Sequence, residues 1–222
     1  MTDVAETTTP VRRQRWVRRV GIGCVLVGLV LLGYVGWQLW VTNILSERQQ
    51  QETVERLEKE WQGNPDPSTE PFDAFALVRI PRFGSSYEMP VLAGVDDDSL
   101  SRGFGHFPGS ADPGEEGNFA LAAHRITHGE PLRDMPELQP GDEVIVETRD
   151  SIHTYEIDTD PADLVVDFEE VWVIAERPVN PDPNGVQPAD APRLITLTTC
   201  AELFHTDDRA IVFGHLVRST PK

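Results

Sequence analysis

Residues Val20 to Val41 are apolar apart from Gln38 and carry no charge. A run of that length can cross a bilayer as a helix, and it divides the chain into two parts that fold in different solvents. Arg12, Arg13, Arg15, Arg18 and Arg19 precede it, and no positive charge follows it closely. The positive-inside rule then puts the N-terminus in the cytoplasm and everything after about residue 42 outside. Trp16, Trp37 and Trp40 stand where an interfacial aromatic belt belongs. The competing reading is a cleavable signal peptide. The stretch is long for an h-region, and no A-x-A site follows it. Cys24 precedes most of the apolar run, so it reads as a small apolar residue in the membrane and not as a lipoprotein site.

Charge differs sharply between the two parts. Residues 1–41 hold five Arg against Asp3 and Glu6, a net of +3; with a total of −18, the remainder carries −21. So acidic a domain does not bind nucleic acid or an anionic surface by charge alone. Only two cysteines are present, Cys24 and Cys200. The outer part therefore has no intramolecular disulfide, although that compartment permits one. A free external thiol calls for a reason, and catalysis supplies one.

Four segments follow from composition. Residues 1–19 are a basic cytoplasmic tail, and 20–41 the transmembrane helix. Residues 42–71 combine a stalk helix with a linker: Val54, Leu57 and Trp61 recur at helical spacing, and Asn64-Pro65-Asp66-Pro67 breaks the pattern. Residues 72–222 form an extracellular domain of short β-type runs. Those runs are Phe75–Ile80, Tyr87–Leu92, Asn118–Ala123, Glu143–Thr148, Ile152–Ile157, Glu170–Ala175, Arg193–Thr199 and Ala210–Val217, separated by turn signals such as Pro140-Gly141-Asp142. Short helical pieces are expected at Asp97–Arg102 and Leu132–Leu138. About eight strands in a domain of this size suggest an all-β fold, a small closed barrel or a sandwich. Glu176–Pro192 is rich in proline and lacks periodicity. It reads as a long loop running into the strand that ends at Cys200.

That strand carries the chemistry. Thr196-Leu197-Thr198-Thr199-Cys200 places a lone thiol at the end of a β-branched run, which makes it a candidate nucleophile. His124 lies upstream in Leu121-Ala122-Ala123-His124-Arg125, and Arg209 opens the run Arg209-Ala210-Ile211-Val212-Phe213. A thiol can attack a carbonyl and leave a thioester. An imidazole can protonate a leaving amine and deprotonate an incoming one. An always-charged guanidinium can stabilise an oxyanion or clamp substrate carbonyls. Each residue alone is more often structural; the three in this order point to a catalytic constellation.

With these motifs the chain resembles a sortase, the membrane-anchored cysteine transpeptidases of Gram-positive bacteria. The family's T-L-x-T-C motif matches Thr196–Cys200. The segments Phe75–Gly84, Gly105–Ser110 and Gly117–Arg125 look most like class E housekeeping sortases of actinobacteria. The resemblance covers residues 72–218. It implies an eight-stranded β-barrel with Cys200 ending the seventh strand and Arg209 beginning the eighth. It implies cleavage of a C-terminal L-[PA]-x-T-G sorting signal between Thr and Gly, then transfer to an amine of a cell-wall precursor of lipid II type, with no cofactor. His124, Cys200 and Arg209 are the implied catalytic residues. Thr199, Thr198, Phe107 and Asn118 are the implied substrate-binding residues, with Thr199 also a candidate for the oxyanion, and the loop Glu176–Pro192 would line the groove. The chain departs from many class E members at Ala123, at Ala201-Glu202 and at Phe107. LPxTG-like and LAxTG-like signals both stay open.

Other residues give weaker signals. His124 and His128 form an i, i+4 pair without the Glu of a zinc-protease helix. Asp96-Asp97-Asp98 reads as a helix cap before a calcium site. His106 reads as structural, and His205, Asp207 and Asp208 as a polar loop near the active-site mouth. Two other functions fit the same residues: a secreted thiol hydrolase with the same triad, and a non-enzymatic cell-envelope scaffold. Ordinary values of ~8.5 for a thiol and ~6.5 for an imidazole leave the thiolate–imidazolium pair at about 1 % near neutrality. A bell-shaped kcat/KM with its maximum near or above neutral pH is therefore expected.

Overall fold

The structure, a computed structural model, describes residues 11–37, 42–63, 74–201 and 207–222. The chain forms two compact units, 1–41 and 42–222. In the first, helix α1 spans Val11–Gly36. Its stretch Trp16–Gly36 is long and apolar enough to cross a membrane, about 31 Å at 1.5 Å per residue. Its large side chains are exposed, Leu32 at 70 % and Trp16 at 68 %. The helix starts within the arginine cluster, earlier than Val20; residues 38–41 of the expected span lie outside the described residues.

The second unit is a closed barrel. Its strands are β1 (Ala74–Arg79), β2 (Met89–Ala93), β3 (Phe104–His106), β4 (Gly117–Ala122), β5 (Glu143–Glu147), β6 (Ser151–Ile157), β7 (Val165–Asp167), β8 (Arg193–Cys200) and β9 (Asp208–Pro221). Eight of them close in the order β6-β5-β1-β2-β3-β4-β8-β9, with β9 pairing back onto β6. Closure removes the unpaired edges of an open sheet. The length of β9 makes it possible. Its residues 209–215 pair with β8, 214–221 with β6 and 208–210 with the short extra strand β7. Two pairings are parallel, β2–β3 and β4–β8. The first is joined by helix α3 (Asp97–Arg102), whose N-cap Asp96 accepts from the amides of Asp98 and Ser99 at 3.1 Å.

Alternation sorts each strand's side chains between the barrel interior and its outer face. Phe119 and Leu121 of β4, Ile195 and Leu197 of β8, and Ala210 and Val212 of β9 belong to the interior core with Phe104 and Tyr155. The outer face is covered in two places. Helix α2 (Thr42–Trp61) lays Val54, Leu57 and Trp61 over Leu77 and Leu92. The segment expected to be a stalk thus packs against the barrel in the same unit, where Leu57 is only 2 % exposed. The linker expected at 64–71 lies outside the described residues. On the other side, Leu164 and Val173 cover Ile211 and Phe213, with Trp172 and Val186 packed against them.

One expected strand is not a strand. Glu170–Ala175 forms a 3₁₀ turn over Val171–Ile174. Its apolar β-branched residues fit a strand, but no partner edge is offered. The carbonyls of Val173 and Ala175 accept instead from the Asn118 side-chain amide, at 3.2 and 3.1 Å. Only Met135–Glu137 of the helical piece expected at Leu132–Leu138 forms, as a 3₁₀ turn. The three-residue strands β3 and β7 are too short to show a period of two and were not expected.

Candidate active site

Strand register brings the three candidate residues together. β4 and β8 pair from Gly117↔Arg193 to Ala122↔Thr198, a constant offset of 76. His124, two residues beyond the last pair, falls level with Cys200 (124 + 76 = 200). On the other side of β8, Cys200 pairs directly with Arg209. By alternation all three side chains take the outer face, since Leu121, Leu197 and Val212 take the interior. Neighbouring strands lie about 4.8 Å apart; Cys200 and Arg209 thus stand side by side on β8 and β9, and the continued β4 offset brings His124 to the other flank of Cys200.

His124 is half-buried, and its ring stacks on that of His128, with centroids 4.7 Å apart and planes 29° apart. Burial, and then repulsion from His128, push its pKa down to about 4, against the opposing attraction of Asp97. The imidazole therefore rests neutral near pH 7. Arg209 rests on an aromatic shelf. Its guanidinium carbon lies 4.9 Å from the ring centroid of Phe168, and Nη1 donates to the Asp208 carbonyl at 3.1 Å. Phe168 directly follows β7, whose Val166 pairs with Arg209. A cation over an exposed ring gains about 0.5–1 kcal/mol, enough to bias the guanidinium's rotamer.

The ladder between β4 and β8 ends at Ala122–Thr198, two residues short of His124 and Cys200. Other bonds carry the alignment further. The Ala123 amide donates to the Thr198 carbonyl at 3.2 Å, and the Thr199 hydroxyl donates to the Ala123 carbonyl at 2.8 Å. Arg125 Nη1 donates to the carbonyls of Cys200, at 3.4 Å, and Ala201. Arg125 thus ties the peptide that follows His124 to the end of the thiol's strand. Sequence reasoning missed it, although its place beside His124 was a usable signal. Arg125→Met is expected to lower kcat by roughly ten- to a hundredfold with little change in KM, because small misplacements of reacting groups are costly. Steady-state kcat and KM of the variant and the wild type check this.

The expected substrate-binding residues fare differently. Thr198 shares the outer face with Cys200 and is buried. Phe107 is half-buried in the turn after β3, its amide donating to the Ala120 carbonyl at 3.1 Å. Asn118 is 0 % exposed, and it accepts from the Thr196 hydroxyl at 2.8 Å besides holding the 3₁₀ turn. Its amide is consumed by the fold, leaving none to meet a substrate. Thr199 faces inward, and its hydroxyl proton is spent on Ala123. Thr199, expected as a possible oxyanion contact, serves in this structure as a strand-to-strand tie. With Arg125, Met135, Pro136, Ala201 and Ala210 it lines a cavity of about 210 Å³ on the inner side of the catalytic strand.

The weaker candidates sort simply. His106 packs between Phe75 and Phe119 and bonds Ser110 and the Ala111 carbonyl, a structural arrangement. Asp96 caps α3. Among the described residues no group of three or more His, Cys, Asp or Glu is arranged to hold a metal ion. His205 lies outside the described residues. Asp208 belongs to β9, and its carbonyl accepts from the Ala201 amide at 3.0 Å.

Comparison with known proteins extends this picture. Residues 78–217 match the family model of the sortase domain. Sortase SrtE1 of Streptomyces coelicolor is 33% identical over 92% of this chain, and the chain spans 58% of that protein's length. Sortase SrtE2 of the same organism is 27% identical, over 88% of this chain and 79% of that one. Among solved structures, sortase E from Streptomyces avermitilis superposes with a TM-score of 0.57 at 37% identity, covering 67% of this chain and 91% of that one. Sortase E1 from Streptomyces coelicolor, solved with a tripeptide in the active site, gives a TM-score of 0.57 at 33% identity with the same coverage.

Proposed function

The chain belongs to the sortase family, and from that premise we propose that it is a membrane-anchored cysteine transpeptidase acting on proteins with a C-terminal LPxTG- or LAxTG-like sorting signal. What supports the reading is the pairing of Cys200 with Arg209 across β8 and β9, and the β4–β8 offset that, continued two residues past Ala122, brings His124 level with Cys200. His124 takes the thiol proton, and the Cys200 sulfur attacks the carbonyl carbon of the signal's Thr. Arg209 stabilises the oxyanion that forms. The intermediate collapses with cleavage of the Thr–Gly bond, and the imidazolium gives its proton to the leaving Gly amine. A thioester on Cys200 remains. An incoming amine then loses a proton to His124 as it attacks the thioester, and the thiol is regenerated with a new amide. The amine is proposed to belong to a cell-wall precursor of lipid II type.

The helix Val11–Gly36 supports anchoring, and the arginines on its N-terminal side favour a cytoplasmic N-terminus with the barrel outside. Protease added to intact protoplasts should then release the barrel; release only after lysis would reverse the orientation. Transfer is tested against hydrolysis by incubating the chain with LPxTG and LAxTG peptides and a small primary amine. An amide adduct of the acyl portion supports the transpeptidase. Free acid alone, at every amine concentration, assigns a thiol hydrolase.

A further inference from the structure

The loop after His124 has a backbone that its sequence does not favour. His128, Gly129 and Glu130 all take left-handed conformations, with φ of 54°, 75° and 50°. Two of the three are not glycine, and an L-residue with a side chain enters that region only when its surroundings impose it. Those surroundings come from helix α2. Gln50 Nε2 donates to the His128 carbonyl at 2.9 Å. The Gly129 amide donates to Asn43 Oδ1 at 3.3 Å, and Asn43 Nδ2 donates to Glu130 Oε1 at 2.6 Å. Gln50 is 3 % exposed, and a Cβ at Gly129 would stand 2.5 Å from its side-chain oxygen. Loop and helix therefore interlock over three consecutive residues. The product of that interlock is the His128 ring lying flat against His124.

We propose that His128 is a positioning residue for His124, seated by Gln50 and Asn43 of α2, so that this helix sets the working geometry of the catalytic site. A ring stacked on one face of the imidazole restricts its rotation about the Cβ–Cγ bond. The inference rests on the catalytic reading of His124. The charged and titratable groups that act on His124 are His128 in its own loop and Asp97 on α3. Only His128 is changed in the test.

The test uses the full chain in detergent and three variants: His128→Ala, His128→Phe and Gln50→Leu. Two quantities are read: kcat and KM with a sorting peptide, and the NMR titration of the His124 ring. His128→Phe keeps a flat ring in the stack and removes the repulsion that lowers the His124 pKa. Its His124 should titrate at higher pH than in the wild type, with kcat within about threefold. His128→Ala and Gln50→Leu should lose roughly tenfold or more in kcat with KM nearly unchanged, as expected when a reacting group loses its orientation. The proposal is overturned if His124 titrates as in the wild type in His128→Phe, if Phe restores no more rate than Ala, or if Gln50→Leu keeps wild-type kcat. The titration needs no turnover. A wild-type chain inactive toward every sorting peptide would thus count against the transpeptidase reading and leave the stacking test standing.

Discussion

Arg209→Ala is expected to lower kcat/KM by about 10²–10³, the usual loss when one oxyanion-type donor is removed. The proposed role is geometric as well as electrostatic. Arg209 pairs with Cys200 across the ladder, so its side chain leaves the sheet beside the thiol. Phe168, the residue after β7, supports the guanidinium. A lysine keeps the charge but not the planar fork, so Arg209→Lys should lose most of the rate and Arg209→Ala more. Phe168→Ala should cost far less than either, because it removes only the shelf. Near wild-type turnover for a folded Arg209→Ala protein would take Arg209 out of the site.

His124→Gln should lose about 10²–10⁴ in rate, the range for a general acid–base residue, and its pH profile should lose the acidic limb. In the wild type that limb should fall near pH 4, because burial and His128 hold the imidazole neutral down to about 4. The sign follows from the active form, which keeps one proton between thiol and imidazole. Below about pH 4 both groups are protonated and attack stops. Stability follows the same direction. The folded state resists protonating His124 while the unfolded chain accepts a proton near ~6.5, so His124's contribution is present above that pH and is lost as pH falls toward about 4. A kcat/KM profile with its acidic limb at 6 or above would show that substrate-free burial does not govern the working histidine.

The contrast with the sequence-based profile is instructive. An ordinary imidazole put the optimum near or above neutrality. Nothing in Ala123-His124-Arg125 shows that His124 is half-buried, because part of its cover is the returning loop, whose His128 ring lies against it. The strands that matter were legible: Thr196–Cys200 and Arg209–Phe213 are β-branched and apolar, and the ends facing the site, Cys200 and Asp208, were placed within two residues, while the far end of β9 runs on to Pro221, four residues past the expected Val217. The level alignment of His124 with Cys200 was not legible, since a parallel register between strands 76 residues apart leaves no local trace. Asn118 and Thr199 were expected as substrate contacts on the strength of the family resemblance. In the barrel their polar atoms are consumed by Val173, Ala175, Thr196 and Ala123. The 3₁₀ turn at Val171–Ile174 was read as a strand because propensity does not report whether an edge is free to pair. β7 and Phe168 escaped for the opposite reason: three residues give no period to detect.

The central claim is that Cys200 forms the acyl-enzyme. Intact-mass measurement of the chain after brief incubation with LPxTG and LAxTG peptides tests it most directly. The account predicts a mass increase equal to the peptide through its Thr residue, located on Cys200 by fragmentation, absent in Cys200→Ala and discharged by hydroxylamine. An unmodified chain with every peptide, while product accumulates, would contradict it.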